Sequence, residues 1–298
     1  MVTGAMIKDL RERTGAGMSD CKAALTEANG DIERAIEILR EKGLSAISKK
    51  AGRVASEGLS HAMIKGDLGI ALEVNSETDF VAKNAEFVTF VNQVAEQIAD
   101  SSATDAESLL KEKWHLDNSL TVEDALSQKI ATIGEKLSIR RFTKFTKVEG
   151  AELVTYIHAG GKVAVLVELK GAGDIQQVGK DVAMQIAAMN PQFVSSDEVP
   201  ADFIEKERKI LTEQALAEGK PANIVEKMIE GRLHKGLKEI CLNDQEFVKD
   251  GDFTVKSYVE KNLGSDAKVL RFVRFETGEG IQKKEENFAE EVAKAMQG

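Results

Sequence analysis

A stretch of alternating apolar residues occurs twice in this chain, each time followed by an amphipathic helix pattern and a further β-type stretch. In the first copy, Ile70, Leu72 and Val74 alternate behind a turn at Gly66-Asp67, as a half-buried hairpin strand should. The spacing then predicts a helix with Phe87, Val91, Val94 and Ile98 on one face. Leu137 to Phe145 reads as the closing strand. About 93 positions on, Tyr156 to His158, a turn at Gly160-Gly161, and Val163, Val165 and Val167 repeat the hairpin. Gln185-Ile186-Ala187 echoes Gln97-Ile98-Ala99, and Arg271-Phe-Val-Arg-Phe275 echoes Arg141-Phe-Thr-Lys-Phe145. Two copies of one hairpin–helix–strand unit imply an α+β core built from two related subdomains.

Ahead of this core, residues 6–43 read as three short helices. The first carries Ile7 and Leu10; the second starts at Ser19 as N-cap and places Cys21, Ala24, Leu25 and Ala28 on one face. Asn29-Gly30 ends it, and Asp31 caps a third with Ile32, Ala35, Ile36 and Leu39 before Gly43. A bundle this small is marginal alone and suits binding. Ser48 to Arg53 reads as a hinge.

Within the first unit, polar Asp100 to Asp105 interrupts, and helical sequence runs on from Ala106 to Lys136, with Trp114 as a partly buried anchor. The second unit carries an insertion: Ala201 to Glu218 and Ala222 to Cys241 are helical and joined by Gly219-Lys220-Pro221, which predicts an antiparallel helical hairpin. Phe203, Ile204, Ile210 and Leu211 are expected on one face, and Val225, Ile229, Leu233 and Leu237 on another. The pattern fits subunit association and fits packing on the chain's own core equally well. Ile281 to Met296 reads as an amphipathic tail helix with Phe288, Val292 and Met296 in line, behind Gly278 and Gly280. The resulting division is 1–54, 55–148, 149–277 with the hairpin at about 198–242, and 278–298.

Chemistry is hard to find. The net charge of −10 disfavours a phosphate-backbone partner, and the basic clusters at Lys49, Lys50, Arg53 and at Arg140, Arg141, Lys144, Lys147 read as solvated edges. His61, His115, His158 and His234 are scattered, and Cys21 and Cys241 lack metal-type spacing. Gly171-Ala-Gly173 follows a strand, but Gln176 stands where a dinucleotide fingerprint needs its third glycine, so a strand-to-helix turn explains it better. No phosphate-binding loop or nucleophile elbow is present. The expectation is a protein that is not an enzyme, without cofactor, metal or nucleotide of its own, with no membrane or nucleic-acid partner. The first six residues lack a signal-peptide pattern, and the two thiols fit a reducing compartment, so a cytoplasmic location is expected.

The segment Asn75-Ser-Glu-Thr-Asp-Phe-Val-Ala-Lys-Asn84 is unusual, because a large apolar residue, Phe80, sits among polar caps. Phe80 is seven positions before Phe87 and could extend that helix stripe; it could equally be presented to a partner. Spacing alone allows both.

The run Thr78-Asp79-Phe80-Val81-Ala82-Lys83-Asn84 resembles the signature of the elongation factor Ts family. Arg11 to Met18 with Asp20-Cys21-Lys22, Lys227 to Arg232, and Phe275 to Gly280 are similar to further family blocks, in family order and across nearly the whole chain. Departures are Ser76, where many members have Cys, and Ser19, where some have a second Met.

The resemblance implies a ubiquitin-associated-like three-helix N-terminal domain, a two-part core, a helical hairpin often used for homodimerisation, and a C-terminal helical module. It implies a guanine-nucleotide exchange factor that binds elongation factor Tu carrying GDP, disturbs its Mg²⁺ site and releases GDP. Thr78, Asp79, Phe80 and Val81 would enter the G domain, with Phe80 as a wedge between helices. Arg11, Met18 and Phe288 would touch the same domain, and His158 would face another domain of the partner. From the first 43 residues alone, a peptide-binding adaptor without exchange activity is the alternative.

Overall fold

A computed structural model describes residues 2–14, 16–50, 52–218 and 222–282. The chain opens with α1 (Gly4–Thr14), α2 (Met18–Glu27) and α3 (Ile32–Lys50). Leu10, Cys21, Ala24, Leu25, Ala35 and Ile38 form their shared core. Asn29 (φ 53) and Gly30 (φ 88) turn the chain, and Asp31 Oδ1 accepts the Arg34 N–H at 3.1 Å to cap α3. Two details differ from the sequence reading. Gly17, not Ser19, is the N-cap of α2, with no side-chain cap bond. The third helix runs through Gly43 to Lys50, which takes over the first half of the expected hinge. Packing outweighs the weak helix propensity of glycine here: α3 lies on the later helix over Val122–Ile133, where Arg40 pairs with Asp124 at 3.2 Å and Gly43 is buried.

The first unit is a hairpin, β1 (Glu57–Lys65) and β2 (Leu68–Ser76), then α4 (Asp79–Ala82), α5 (Ala85–Asp100) and α6 (Ala106–Lys111). A second small hairpin follows, β3 (Lys113–Trp114) and β4 (Asp117–Thr121), before α7 (Val122–Ile133) and β5 (Ser138–Thr146). The strands form an antiparallel sheet in the order β1-β2-β5. Phe87, Val91, Val94 and Ile98 of α5 are all buried against it, as their spacing predicts. The helical reading of 106–136 is corrected by β3 and β4, which insert Trp114 into the core beside Phe90, ring centroids 6.0 Å apart. Trp114 is nearly sealed, deeper than its polar neighbours suggest. Thr121 and Asp124 then form a capping box that restarts the helix.

The second unit repeats the plan with β6 (Ala151–His158), β7 (Val163–Lys170), α8 (Ile175–Met189), α9 (Ala201–Ala217), α10 (Ala222–Ile240), α11 (Val255–Leu263) and β8 (Lys268–Glu276). Its sheet order, β6-β7-β8, matches the first. The correspondence extends to register. Glu73 lies opposite Arg141 and Glu168 opposite Arg271, and each ladder shifts by a bulge directly after the glutamate. The two sheets pack face to face through Ala62, Ala71, Phe145, Leu153, Leu166 and Phe275. Gly69 makes that approach possible, since a Cβ there would lie 2.7 Å from a Leu166 methyl carbon.

Glycines 171 and 173 form the strand-to-helix turn expected of them: Asp174 caps α8, and α11 packs so close to Gly171 that a Cβ would meet that of Leu263 at 2.7 Å. Helices α9 and α10 pack through Leu211, Ala215, Val225, Met228 and Ile229. Ile210 does not share the seam expected with Leu211; it is exposed, as is Leu216. The 219–221 link and residues 283–298, including Phe288, Val292 and Met296, lie outside the described residues. Among the described residues no helix is long and apolar enough to cross a membrane.

Candidate partner-binding site

Strand β2 delivers the chain to Thr78, whose extended backbone (φ −122, ψ 157) and side chain cap the single turn of α4. Its Oγ1 accepts the Val81 N–H at 3.4 Å. Successive residues of a helix point about 100° apart, so one turn cannot bury all of Phe80, Val81 and Ala82. Val81 and Ala82 face inward, Val81 joining the core of the first unit at 9% exposure, while Phe80 stands 82% exposed. The helix does not continue back from α5 to absorb it. Lys83 and Asn84 break the chain, and Asn84 Oδ1 caps α5 by accepting the Glu86 N–H at 2.8 Å. Of the two readings that spacing allowed for Phe80, the structure excludes the one in which it extends the α5 stripe, and leaves its ring exposed.

Asp79 lies on the surface beside it, with its carboxylate 2.6 Å from Lys83 Nζ. The Lys83 hydrogen bond holds the Asp79 carboxyl below its ordinary value, and the positive charge of Lys162 adds to this. Glu77 faces Arg53 at 3.3 Å, and Ser76 Oγ donates to the Thr78 carbonyl at 3.0 Å. Ser76 is fully buried.

The other candidate residues are spread over the molecule. Arg11 is exposed on α1, and Met18 is 61% exposed at the start of α2. His158 is exposed at the end of β6, where its Nδ1 lies 3.1 Å from the Tyr156 hydroxyl. The turn that follows reaches the first sheet: the Gly161 carbonyl accepts the Ser60 N–H at 2.7 Å, and Lys162 pairs with Glu57 at 3.0 Å. Phe288 lies outside the described residues.

Two residues that sequence reasoning missed also bear on the turn. Lys83 holds Asp79, as its i,i+4 spacing could have indicated. Glu135 bonds Thr78 from a stretch 57 positions away. Only a stop signal, Gly134 after an apolar helical stripe, marks that place in the sequence.

The α+β core thus displays an aromatic side chain and a carboxylate side by side on a capped turn, with no metal-binding cluster among the described residues. A family model described as Elongation factor TS matches residues 77–279, beginning one residue before Thr78. The chain is 53% identical to Elongation factor Ts of Clostridium novyi (strain NT) over 304 aligned residues, covering 99% of each chain. It is 54% identical to Elongation factor Ts of Clostridioides difficile (strain 630) over 303 residues, again covering 99% of each. This chain belongs to the elongation factor Ts family and is thus a protein-biosynthesis factor of translation elongation.

Proposed function

We propose that this chain is the guanine-nucleotide exchange factor of elongation factor Tu, acting in the cytoplasm without chemistry or a nucleotide site of its own. The carrying observation is Phe80, held out at 82% exposure on a turn whose next two residues are anchored in the core. Leaving such a ring in water in the free protein is unfavourable, and burying it in a partner gains roughly 1.5–3 kcal/mol.

Exchange needs a difference between states. The factor must bind the empty partner more tightly than the GDP-loaded one, and linkage then weakens GDP by the same factor. Each ~1.4 kcal/mol of that preference is tenfold in nucleotide affinity. If the pocket for Phe80 opens only as the Mg²⁺ site of elongation factor Tu is distorted, the ring accounts for about one to two decades. Thr78 and Val81 set the ring's position, and Asp79 brings a negative charge toward the phosphate and metal region. Arg11, Met18, His158 and Phe288 supply affinity from the bundle, the second unit and the tail. The same reading divides the chain into 1–54, 55–148, 149–277 and 278–298, with α9 and α10 available for homodimerisation.

The test is release of a fluorescent GDP from elongation factor Tu. Wild-type protein should accelerate it, and Phe80→Ala should lose about tenfold or more of that acceleration with an unchanged circular dichroism spectrum. Wild-type protein that leaves GDP release at its spontaneous rate would leave the adaptor reading in its place.

A further inference from the structure

A four-residue turn cannot hold its own orientation, because it closes too few internal hydrogen bonds to offset the cost of ordering it. The direction of Phe80 is therefore set from outside the turn: by the burial of Val81 and Ala82 on one side and by whatever fixes Thr78, its cap, on the other. α7 ends at Gly134, whose φ of 85 sends the chain back toward the junction between β2 and α4. There Glu135 takes hold of Thr78 twice. Its Oε2 accepts the Thr78 backbone N–H at 3.0 Å, and its Oε1 accepts the Thr78 hydroxyl at 2.6 Å. Because that hydroxyl donates to Glu135, its lone pairs are left for the Val81 N–H that it caps.

The grip is reciprocal. Glu77 Oε1 accepts the backbone N–H of Lys136 at 2.5 Å, so each of two adjacent segments offers one carboxylate to the other's main chain. Lys136 Nζ also donates to the Arg53 carbonyl at 2.8 Å, bringing the connection between α3 and β1 into the same knot. Bonds to an ionised acceptor are about twice as strong as neutral ones, and two of them converge on one residue.

We propose that Glu135 is the positioning residue of the Phe80 turn: its carboxylate fixes Thr78, and through Thr78 the direction in which the ring is presented to the GTPase. This rests on the exchange reading above. Glu135 need not touch the partner; it acts through Thr78.

The experiment uses the full chain as wild type, Glu135→Ala, Glu135→Gln, Phe80→Ala and the Glu135→Ala/Phe80→Ala double variant. Two readouts are taken: release of fluorescent GDP from elongation factor Tu, and amide hydrogen exchange across residues 76–84 of the isolated chain. Glu135→Ala is expected to slow stimulated release by about tenfold, the scale of one charge-assisted hydrogen bond. Glu135→Gln should recover part of this, since its amide still accepts from the Thr78 N–H and can donate to the hydroxyl. In the Phe80→Ala background, Glu135→Ala should change release by less than about twofold, because the ring it orients is gone. Full multiplication of the two effects would overturn the proposal, as would release by Glu135→Ala at the wild-type rate while Phe80→Ala is slow.

Should Phe80→Ala itself release GDP at the wild-type rate, the wedge role of Phe80 falls, and hydrogen exchange decides the clamp separately; should the wild type fail to accelerate release, the exchange reading falls. Amides of Thr78 and Val81 exchanging about tenfold faster in Glu135→Ala support it, and unchanged protection overturns it.

Discussion

Arg141 places its guanidinium carbon 4.4 Å from the centre of the Phe275 ring, across the interface between the two sheets. Arg271 does the same over Phe145 at 4.3 Å, in the opposite direction. Each arginine is also bound in its own sheet, Arg141 Nε to Glu73 and Arg271 Nε to Glu168, both at 2.6 Å and both to carboxylates with no exposed surface. The two units are thus latched by exchanged arginine–aromatic contacts, one from each copy of the Arg-Phe-x-x-Phe echo. In the exchange function proposed above, the latch would hold the Phe80 turn of one unit and His158 of the other in a fixed relation.

Arg271→Ala would leave Glu168 buried with, among the described residues, the Val148 N–H as its remaining partner. Glu168 is buried but Arg271 is 41% exposed, so losing this bond to a charged group costs about 1.5–3 kcal/mol, and loss of the stack over Phe145 adds to it. Urea denaturation should show a loss of that order. Arg271→Lys should recover only part of it, because an ammonium lacks the planar fork and the stacking face. A loss below about 1 kcal/mol would show that the pair is no more than a surface salt bridge.

The echo that forms this latch was legible in the sequence as a repeat, but its purpose was not, since a sequence does not show which ring lies under which guanidinium. The main strands and the stripe of α5 were legible because periods of 2 and 3.6 are imposed by burial on one face. The β3–β4 hairpin was not, for two short strands carry too few residues to establish a period, and the flanking helices dominate the pattern. The end of α3 was misjudged at Gly43 because docking on α7 is a tertiary term. At the site, Phe80 was legible as an anomaly, and the family resemblance gave it meaning. Glu135 was not legible at all, because its grip on Thr78 joins residues far apart in sequence.

Glu73 provides a pH-dependent contribution with a definite sign. Burial pushes its carboxyl upward, but hydrogen bonds from the Gly278 N–H, Asn75 and Arg140, with the charge of Arg141, outweigh this and hold it below its ordinary value. A depressed folded-state value means that the charged form stabilises the fold above the unfolded value of about 4.3. That contribution is lost as pH falls through the lower folded value. Glu73→Gln should therefore be less stable than wild type at pH 7, with the gap narrowing below about pH 4.3. Urea midpoints of both proteins between pH 7 and 3 check this, and a gap that is constant with pH would contradict it.

Val81 tests how far the presentation of Phe80 depends on its anchor. Val81→Ala removes two buried carbons from the core of the first unit, about 1.5–2 kcal/mol at ~0.8 kcal/mol each. Stimulated GDP release should fall several-fold as well, because the ring loses the counterweight that keeps it outward. Thermal melts and exchange rates on the same samples separate the two effects. Stability lost with exchange intact would show that Val81 is core alone.

Asp79 should matter less than Phe80, and Lys83 explains why. In the free protein the Asp79 carboxylate is already engaged by Lys83 at 2.6 Å, so approaching a partner's metal region requires trading one cationic neighbour for another set of contacts. Only the difference between the two environments contributes, whereas Phe80 passes from water to a closed pocket and contributes its full transfer term. Asp79→Ala should therefore slow stimulated GDP release by less than Phe80→Ala does. Lys83→Ala, which frees the carboxylate, should slow it less still or raise it slightly. Measured side by side at saturating factor, a larger loss for Asp79→Ala than for Phe80→Ala would reverse the ranking and place the dominant state-dependent interaction in charge rather than in burial.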